Sequence, residues 1–219
     1  MLVIIDVLSF TTAVTVAVER GVAVYPAVRP DERAVQLAHD VGAELAVGRS
    51  EVTDEHPWSL SPAALRSALA PARLVLPSPN GSAIASAADG VVVAACLRNA
   101  LAVAAWLSEE YGTRDKPVTV IAAGERWPDA SLRPALEDLL GAGAVLAALA
   151  QRGAFAESPE AASARMTYES TESVRDAVRR CASGVELATG GFGQDIEVAV
   201  ELGTSTVVPV LIDGAFQPA

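Results

Sequence analysis

Two hydrophobic patterns alternate along the chain. Short, continuous, β-branched runs give way to longer stretches with apolar residues at helical spacing. The run LVIID at residues 2–6 is apolar on both parities up to its last residue, as in a strand buried on both faces. A helix to about Arg20 follows, with Ser9 and Thr11 as candidate N-caps and Gly21 at its end. VAVYPAV reads as the next strand. PDERAVQLAHDVG is a helix, with Pro in its first turn, acids early and Gly at its close. AELAVG is a strand, residues 49–61 lack periodicity and form a loop, PAALRSALA is a short helix and RLVLP a strand. After the turn SPNGS come a helix, the strand GVVVAAC and the helix LRNALAVAAWLSEEYG. PVTVIAA is a strand, GERWPDASLR a loop and PALEDLLGAGAVLAALAQRG a long helix. Helices are expected near 158–164, 171–182 and 194–202, and TVVPVL is the last strand.

Strands alternating with helices predict an α/β fold: three layers, α/β/α, around a mainly parallel sheet. The segments IIDVLSFTTAV and LVLPSPNGSAI echo each other as strand, polar turn and hydroxyl-rich helix start. No low-complexity linker divides the chain, so it reads as one domain, with a division into related halves near 1–115 and 116–219 left open.

Composition narrows the partners. Apolar residues make up 51% of the chain and aromatics 5%, which suits helices packed closely on a buried sheet. A net charge of −11 argues against a nucleic-acid backbone as partner. The longest apolar run, LLGAGAVLAALA, is too short to span a bilayer. Cys96 and Cys181 have no metal-site spacing and read as free thiols of a reducing cytosol, and no basic segment precedes the first apolar run as a secretion signal would require. A cytoplasmic protein is therefore expected. An Ala-rich helix face could pair subunits into a homo-oligomer, and could equally be core.

Candidate chemistry gathers where strands end, because open α/β sheets bind ligands at the carboxyl ends of their strands. After the first strand stand Asp6, Ser9, Thr11 and Thr12. After a middle strand stand Ser78, Asn80, Gly81 and Ser82. After VTVIAA stand Gly124, Glu125 and Arg126, and the next helix begins with Glu137 and Asp138. A strand-end carboxylate such as Asp6 either coordinates Mg²⁺ or caps the following helix. Combined with hydroxyls at a helix start, it suits a metal-bridged phosphate, with hard oxygens for the cation and N–H and O–H donors for the anion. Neighbouring helical residues point about 100° apart, so one of Glu137 and Asp138 is expected to face a site. Arg126 and Arg133 flank the loop and could hold an anion. GGFG at 190–193 lacks the Lys-Ser/Thr of a phosphate loop, and Asp195 beyond it reads as a cap. His39 reads as a surface residue.

These motifs, in this order, resemble the 2-phosphosulfolactate phosphatase family. The resemblance is carried by DVLSFTT, SPNGS, LRNALAVA, AAGERW, LEDLLGAGAV and GGFGQDIEVAVELGTSTVVPVL, and spans nearly the whole chain. It implies Mg²⁺-dependent hydrolysis of a phosphate monoester on a small sulfonated hydroxy acid, in coenzyme M synthesis. On that reading Asp6, Glu125 and one of Glu137 and Asp138 surround Mg²⁺, while Thr11, Thr12, Ser78, Asn80, Gly81, Ser82 and Arg126 hold the small anionic phosphorylated substrate. There are departures. Ser9-Phe10 stands where the family has Arg-Ala, and Arg49 where it has a carboxylate. Two alternatives follow: an anion-binding member with altered catalysis, or another hydrolase or lyase using the same acids. Whether water attacks directly or a carboxylate forms a phospho-enzyme stays open.

Overall fold

The computed structural model describes residues 1–112, 117–153 and 155–219. Strand β1 (Leu2–Ile5) turns into helix α1 (Phe10–Glu19), followed by β2 (Ala23–Ala27), α2 (Glu32–Val41) and the short β3 (Glu44–Leu45). A 3-10 turn at Arg49–Glu51 and helix α3 (Pro62–Ser67) precede β4 (Arg73–Pro77) and α4 (Gly81–Ala87). Next come β5 (Val92–Ala95), α5 (Ala100–Tyr111), β6 (Thr119–Ala122), and a small hairpin of β7 (Glu125–Arg126) and β8 (Leu132–Arg133). The long α6 (Leu136–Arg152) leads to α7 (Pro159–Ser170), α8 (Val174–Arg180), α9 (Ala182–Thr189) and α10 (Gly193–Ala199). Strands β9 (Pro209–Ile212) and β10 (Ala215–Pro218) close the described fold.

The main sheet has the order β3-β4-β2-β10-β9-β5-β1-β6. Two parallel triplets, β3-β4-β2 and β5-β1-β6, are joined by the antiparallel β9-β10 hairpin. Because β10 opposes β2, β9 opposes β10 and β5 opposes β9, the two triplets run in opposite senses. Side chains alternate across the sheet. Ile4, Leu74, Leu76, Val92 and Ala94 pack on one face with α1. Val3, Ile5, Val93 and Ala95 face α5 and α6, and Val75 faces α2. The result is the expected three-layer α/β/α arrangement around a mostly parallel sheet.

Helix α1 lies between this sheet and helices α3 and α4, and Phe10 through Val18 are all buried. A helix without a solvent face can carry hydroxyls only if each finds a partner. Thr11 Oγ1 donates to the Asp6 carbonyl, Thr12 Oγ1 to the Val7 carbonyl and Thr15 Oγ1 to the Thr11 carbonyl. The expected caps are therefore corrected. Ser9 occupies the N-cap position without a side-chain cap bond, and Thr11 lies inside the helix, bonded back to the strand-end residue.

Other expectations shift as well. The loop GERWPDASLR contains the β7-β8 hairpin. The helix expected over 171–182 breaks at Cys181, which caps a separate α9 by accepting from Gly184 N–H. The strand after Ile212 was hidden behind a turn: Asp213 and Gly214 both have positive φ, at 50° and 84°, as a tight two-residue hairpin requires. AELAVG shrinks to two residues at a sheet edge. Among the described residues no helix is long and apolar enough to cross a membrane.

Candidate active site

Strands β1 and β6 are adjacent and parallel, so their carboxyl ends emerge together. The turn after β1 places Asp6 there, buried, with both oxygens engaged. Its Oδ1 accepts from Phe10 N–H at 3.2 Å and its Oδ2 from Gly81 N–H at 2.8 Å. The second contact joins this turn to the one after β4, which belongs to the opposite triplet. It requires glycine at 81, because a Cβ there would lie 2.8 Å from Asp6 Oδ2 and against the Phe10 ring.

Asp138, in the first turn of α6, performs a related task. Its Oδ1 accepts from Val7 N–H at 2.7 Å and its Oδ2 from Gly124 N–H at 2.8 Å, so it ties the turn after β1 to the turn after β6. Helix α6 can approach because Gly141 passes directly over Ile5 and Val7, where a Cβ would come within 2.7 Å of both side chains. Glu137, the adjacent residue, is also buried but lies beside Cys181. Burial, with Glu137 adding to it, pushes the Cys181 thiol up to about 12. Glu137 and Asp138 thus diverge as helical geometry requires, but both point inward.

Glu125 follows Gly124. Its Oε2 accepts from Asn80 Nδ2 at 2.8 Å, which leaves Asn80 Oδ1 buried with no partner. Such an orphaned acceptor is costly, and it marks a place where a ligand or ion would be favourable. The local electrostatics are lopsided. Asp6 and Asp138 are raised above the usual carboxylate range, Asp138 strongly, foremost by burial, with Glu137 adding to both and Asp6 also acting on Asp138. Glu125 is raised by burial and then by Asp6 and Glu137.

A cavity of about 470 Å³ opens at these groups. Asp6, Ser9, Ser78, Asn80 and Glu125 line it together with Arg49, Leu60, Ser183, Glu186 and Phe192. The sequence-derived residues thus sort into two sets. Asp6, Ser78, Asn80 and Glu125 reach the cavity. Thr11, Thr12 and Ser82 use their hydroxyls on backbone carbonyls, Gly81 gives its N–H to Asp6, and Arg126 is exposed on β7. Among the described residues no three Asp, Glu, His or Cys side chains stand close enough to form a ready-made metal cluster.

Arg49 was not a candidate by its sequence surroundings. Its Nε donates to Asp195 Oδ2 at 3.0 Å, its Nη2 to Ser9 Oγ at 2.6 Å and to the Leu60 carbonyl at 3.2 Å, and it stacks over Phe192 at 5.6 Å. Asp195, expected to cap its own helix, instead accepts from Ser61 Oγ and from Ala63 N–H at 3.3 Å, in the first turn of α3. A lone arginine in an aperiodic loop carries no local signal for this. The partners come from segments 40 and 146 residues away.

The sequence model of the 2-phosphosulpholactate phosphatase family matches residues 1–214 of the chain. The chain belongs to that family. It is 28% identical over 222 residues to a protein of Deinococcus radiodurans described as a probable 2-phosphosulfolactate phosphatase, covering 99% of this chain and 89% of that one. It is 32% identical over 144 residues to the 2-phosphosulfolactate phosphatase of Methanothermobacter thermautotrophicus, covering 66% of this chain and 58% of that one. The family match spans every segment that builds the cavity.

Proposed function

We propose that the protein hydrolyses the phosphate monoester of a small anionic hydroxy acid, 2-phosphosulfolactate or a close analogue, with Mg²⁺ as cofactor. The observation that carries this reading is the convergence of Asp6, Glu125 and the orphaned Asn80 Oδ1 on one cavity. Mg²⁺ asks for one or two carboxylates and completes its shell with water and substrate phosphate, so a cluster of three acids is not required. The crowded carboxylates also fit a cation, because after burial Glu137 raises Asp6, Glu125 and Asp138, Asp6 raises the latter two, and no arginine donates a hydrogen bond to any of the three among the described residues.

Asp6 and Glu125 would hold the ion, with Asn80 Oδ1 beside them. When bound, it would neutralise charge on the phosphoryl oxygens, the main requirement in phosphoryl transfer. Asn80 Nδ2 orients Glu125. Ser78, buried at the cavity wall, offers its hydroxyl to a phosphoryl oxygen. Thr11, Thr12, Gly81, Ser82 and Asp138 act one step back, fixing the turns that carry Asp6 and Glu125. Both oxygens of Asp6 already accept N–H bonds, which makes it a poor nucleophile, so the attacking group in this reading is water.

The test is phosphate release from 2-phosphosulfolactate with added Mg²⁺ and with chelator. Release that stops in chelator and returns with Mg²⁺ is expected. Release unchanged by chelator removes the metal from the reading. Binding of the ester without release under any divalent ion removes catalysis.

A further inference from the structure

The cavity is lined by groups of both charges. Its lining carries three carboxylates, Asp6, Glu125 and Glu186, and one cation, Arg49. Glu186 is neutralised by a two-bond pairing with Arg133, at 2.7 and 2.8 Å. Arg49 is likewise paired, with the buried Asp195 at 3.0 Å, and it is the one cationic donor in the cavity lining among the described residues.

Arg49 is held from several directions. Asp195 grips Nε, Ser9 and Leu60 fix Nη2, and the Phe192 ring backs the guanidinium plane. These contacts leave Nη1 without a partner among the described residues. With Nε and both Nη2 protons committed, the guanidinium is fixed in place, and Nη1 is the group it can present to an oxyanion oxygen. Ser9, in the turn after β1, and Arg49, in the loop before α3, are bonded at 2.6 Å, so the guanidinium is delivered to the mouth of the same turn that carries Asp6.

We infer that Arg49, seated on Ser9, Asp195 and Phe192, forms a second anion subsite that takes the carboxylate or sulfonate of the substrate, while the Asp6–Glu125 site takes its phosphoryl group. This rests on the phosphatase reading above. It commits the enzyme to phosphomonoesters that carry a further acidic group a few bonds from the ester oxygen. Arg49 is a specificity residue here, with Ser9 and Asp195 as its positioning residues.

The experiment compares two esters that differ in one group: phosphoglycolate, with a carboxylate, and ethyl phosphate, with a methyl in its place. In the wild type kcat/KM favours phosphoglycolate at least about tenfold, one charge-assisted contact being worth more than about 1.4 kcal/mol. In Arg49→Gln the ratio collapses toward one, chiefly through KM for phosphoglycolate, and Arg49→Lys keeps part of it. The double variant Arg49→Gln/Asp195→Asn removes both charges of the pair and gives the same collapse without a buried, unpaired Asp195. Calorimetry with sulfoacetate, which carries no phosphate, reads the subsite independently of turnover. Wild type binds it, and Arg49→Gln binds it at least about tenfold more weakly. An unchanged substrate ratio, or equal sulfoacetate affinity in the variant, overturns the inference. An equal loss on both esters also overturns it, by placing Arg49 on the phosphoryl group. If the wild type hydrolyses neither these esters nor 2-phosphosulfolactate, the phosphatase reading fails, and the sulfoacetate comparison still decides the subsite.

Discussion

Asp6, Glu125 and Asp138 meet at the ends of β1 and β6, whereas Glu201 sits between Arg66 and Arg98 on another part of the molecule. All four are carboxylates inside or beside the same fold, yet their charges are treated in opposite ways. Glu201 receives two bonds from Arg66, at 2.8 and 2.7 Å, and a further one from the buried Arg98, and these hold it down to about 2. Asp6, Glu125 and Asp138 are raised first by burial and then by neighbouring acids, and what satisfies Asp6 and Asp138 is backbone N–H. The first arrangement is an ion network that ties α3 and the end of α10 to the turn before α5. The second is a group of buried acids held above the usual carboxylate range, opposed only weakly by Arg49 at Asp6 and Arg133 at Glu125. Shifted carboxylates beside a cavity mark a candidate functional site.

Asp6→Asn breaks the comparison most severely. It keeps an oxygen for one of the two backbone N–H groups and removes the charge. The expected outcome is a drop of about 1,000-fold in kcat/KM for phosphate release, with a denaturant midpoint close to that of the wild type. Activity within tenfold of wild type would show that Asp6 is a structural acid like Glu201. Asp138→Ala is expected to act on stability first. It leaves the N–H groups of Val7 and Gly124 buried and unpaired, at about 3 kcal/mol in urea unfolding. A change below about 0.5 kcal/mol would mean that the turns after β1 and β6 hold without it.

The smallest effect is the most diagnostic, because its sign differs between the two regions. Glu201 has a folded pKa below its unfolded value. Its contribution is present above about pH 4.5 and is lost as pH falls through about 2. Asp6, Glu125 and Asp138 have folded pKa values above their unfolded ones. Their protonated forms favour the fold below about pH 4, and that contribution is lost as pH rises through the raised values. Urea unfolding of Glu201→Gln in chelator should therefore flatten the acid limb, by about 1 kcal/mol because the group is partly exposed. Asp6→Asn should flatten the opposite, rising-pH limb. Identical pH profiles for the two variants would erase the distinction.

Much of this was legible along the chain. Periodicity located α1, α2, α5 and α6 and the strands β1, β2, β4, β5 and β6, because burial on both faces writes β-branched runs and packed helices write apolar spacing; of α7, expected near 158–164, it found the first half. It missed β10, although Asp213-Gly214 is a strong hairpin signal, because so few apolar residues follow it. It missed α9, since Cys181 is an unusual cap. Asp6, Ser78, Asn80 and Glu125 were readable as strand-end residues and do reach the cavity. Thr11, Thr12 and Ser82 have the same local look, yet their hydroxyls turn to the backbone. For Thr11 and Thr12 that follows from α1 being buried all round, and for Ser82 from its burial at the start of α4 over the Leu76 carbonyl, neither of which a local window reveals.

Sequence alone thus determined the alternation of strands and helices, the family and the strand-end positions that line the cavity, because those depend on residues near one another in the chain. Tertiary structure decided the rest. It brought the turn of one triplet onto the turn of the other through Gly81 and Asp6, turned Asp195 from its own helix to α3 and Arg49, and set Arg49 against Ser9. Each of those contacts joins distant segments, and whether a charge there is paired or left open depends on packing that no single stretch of sequence contains.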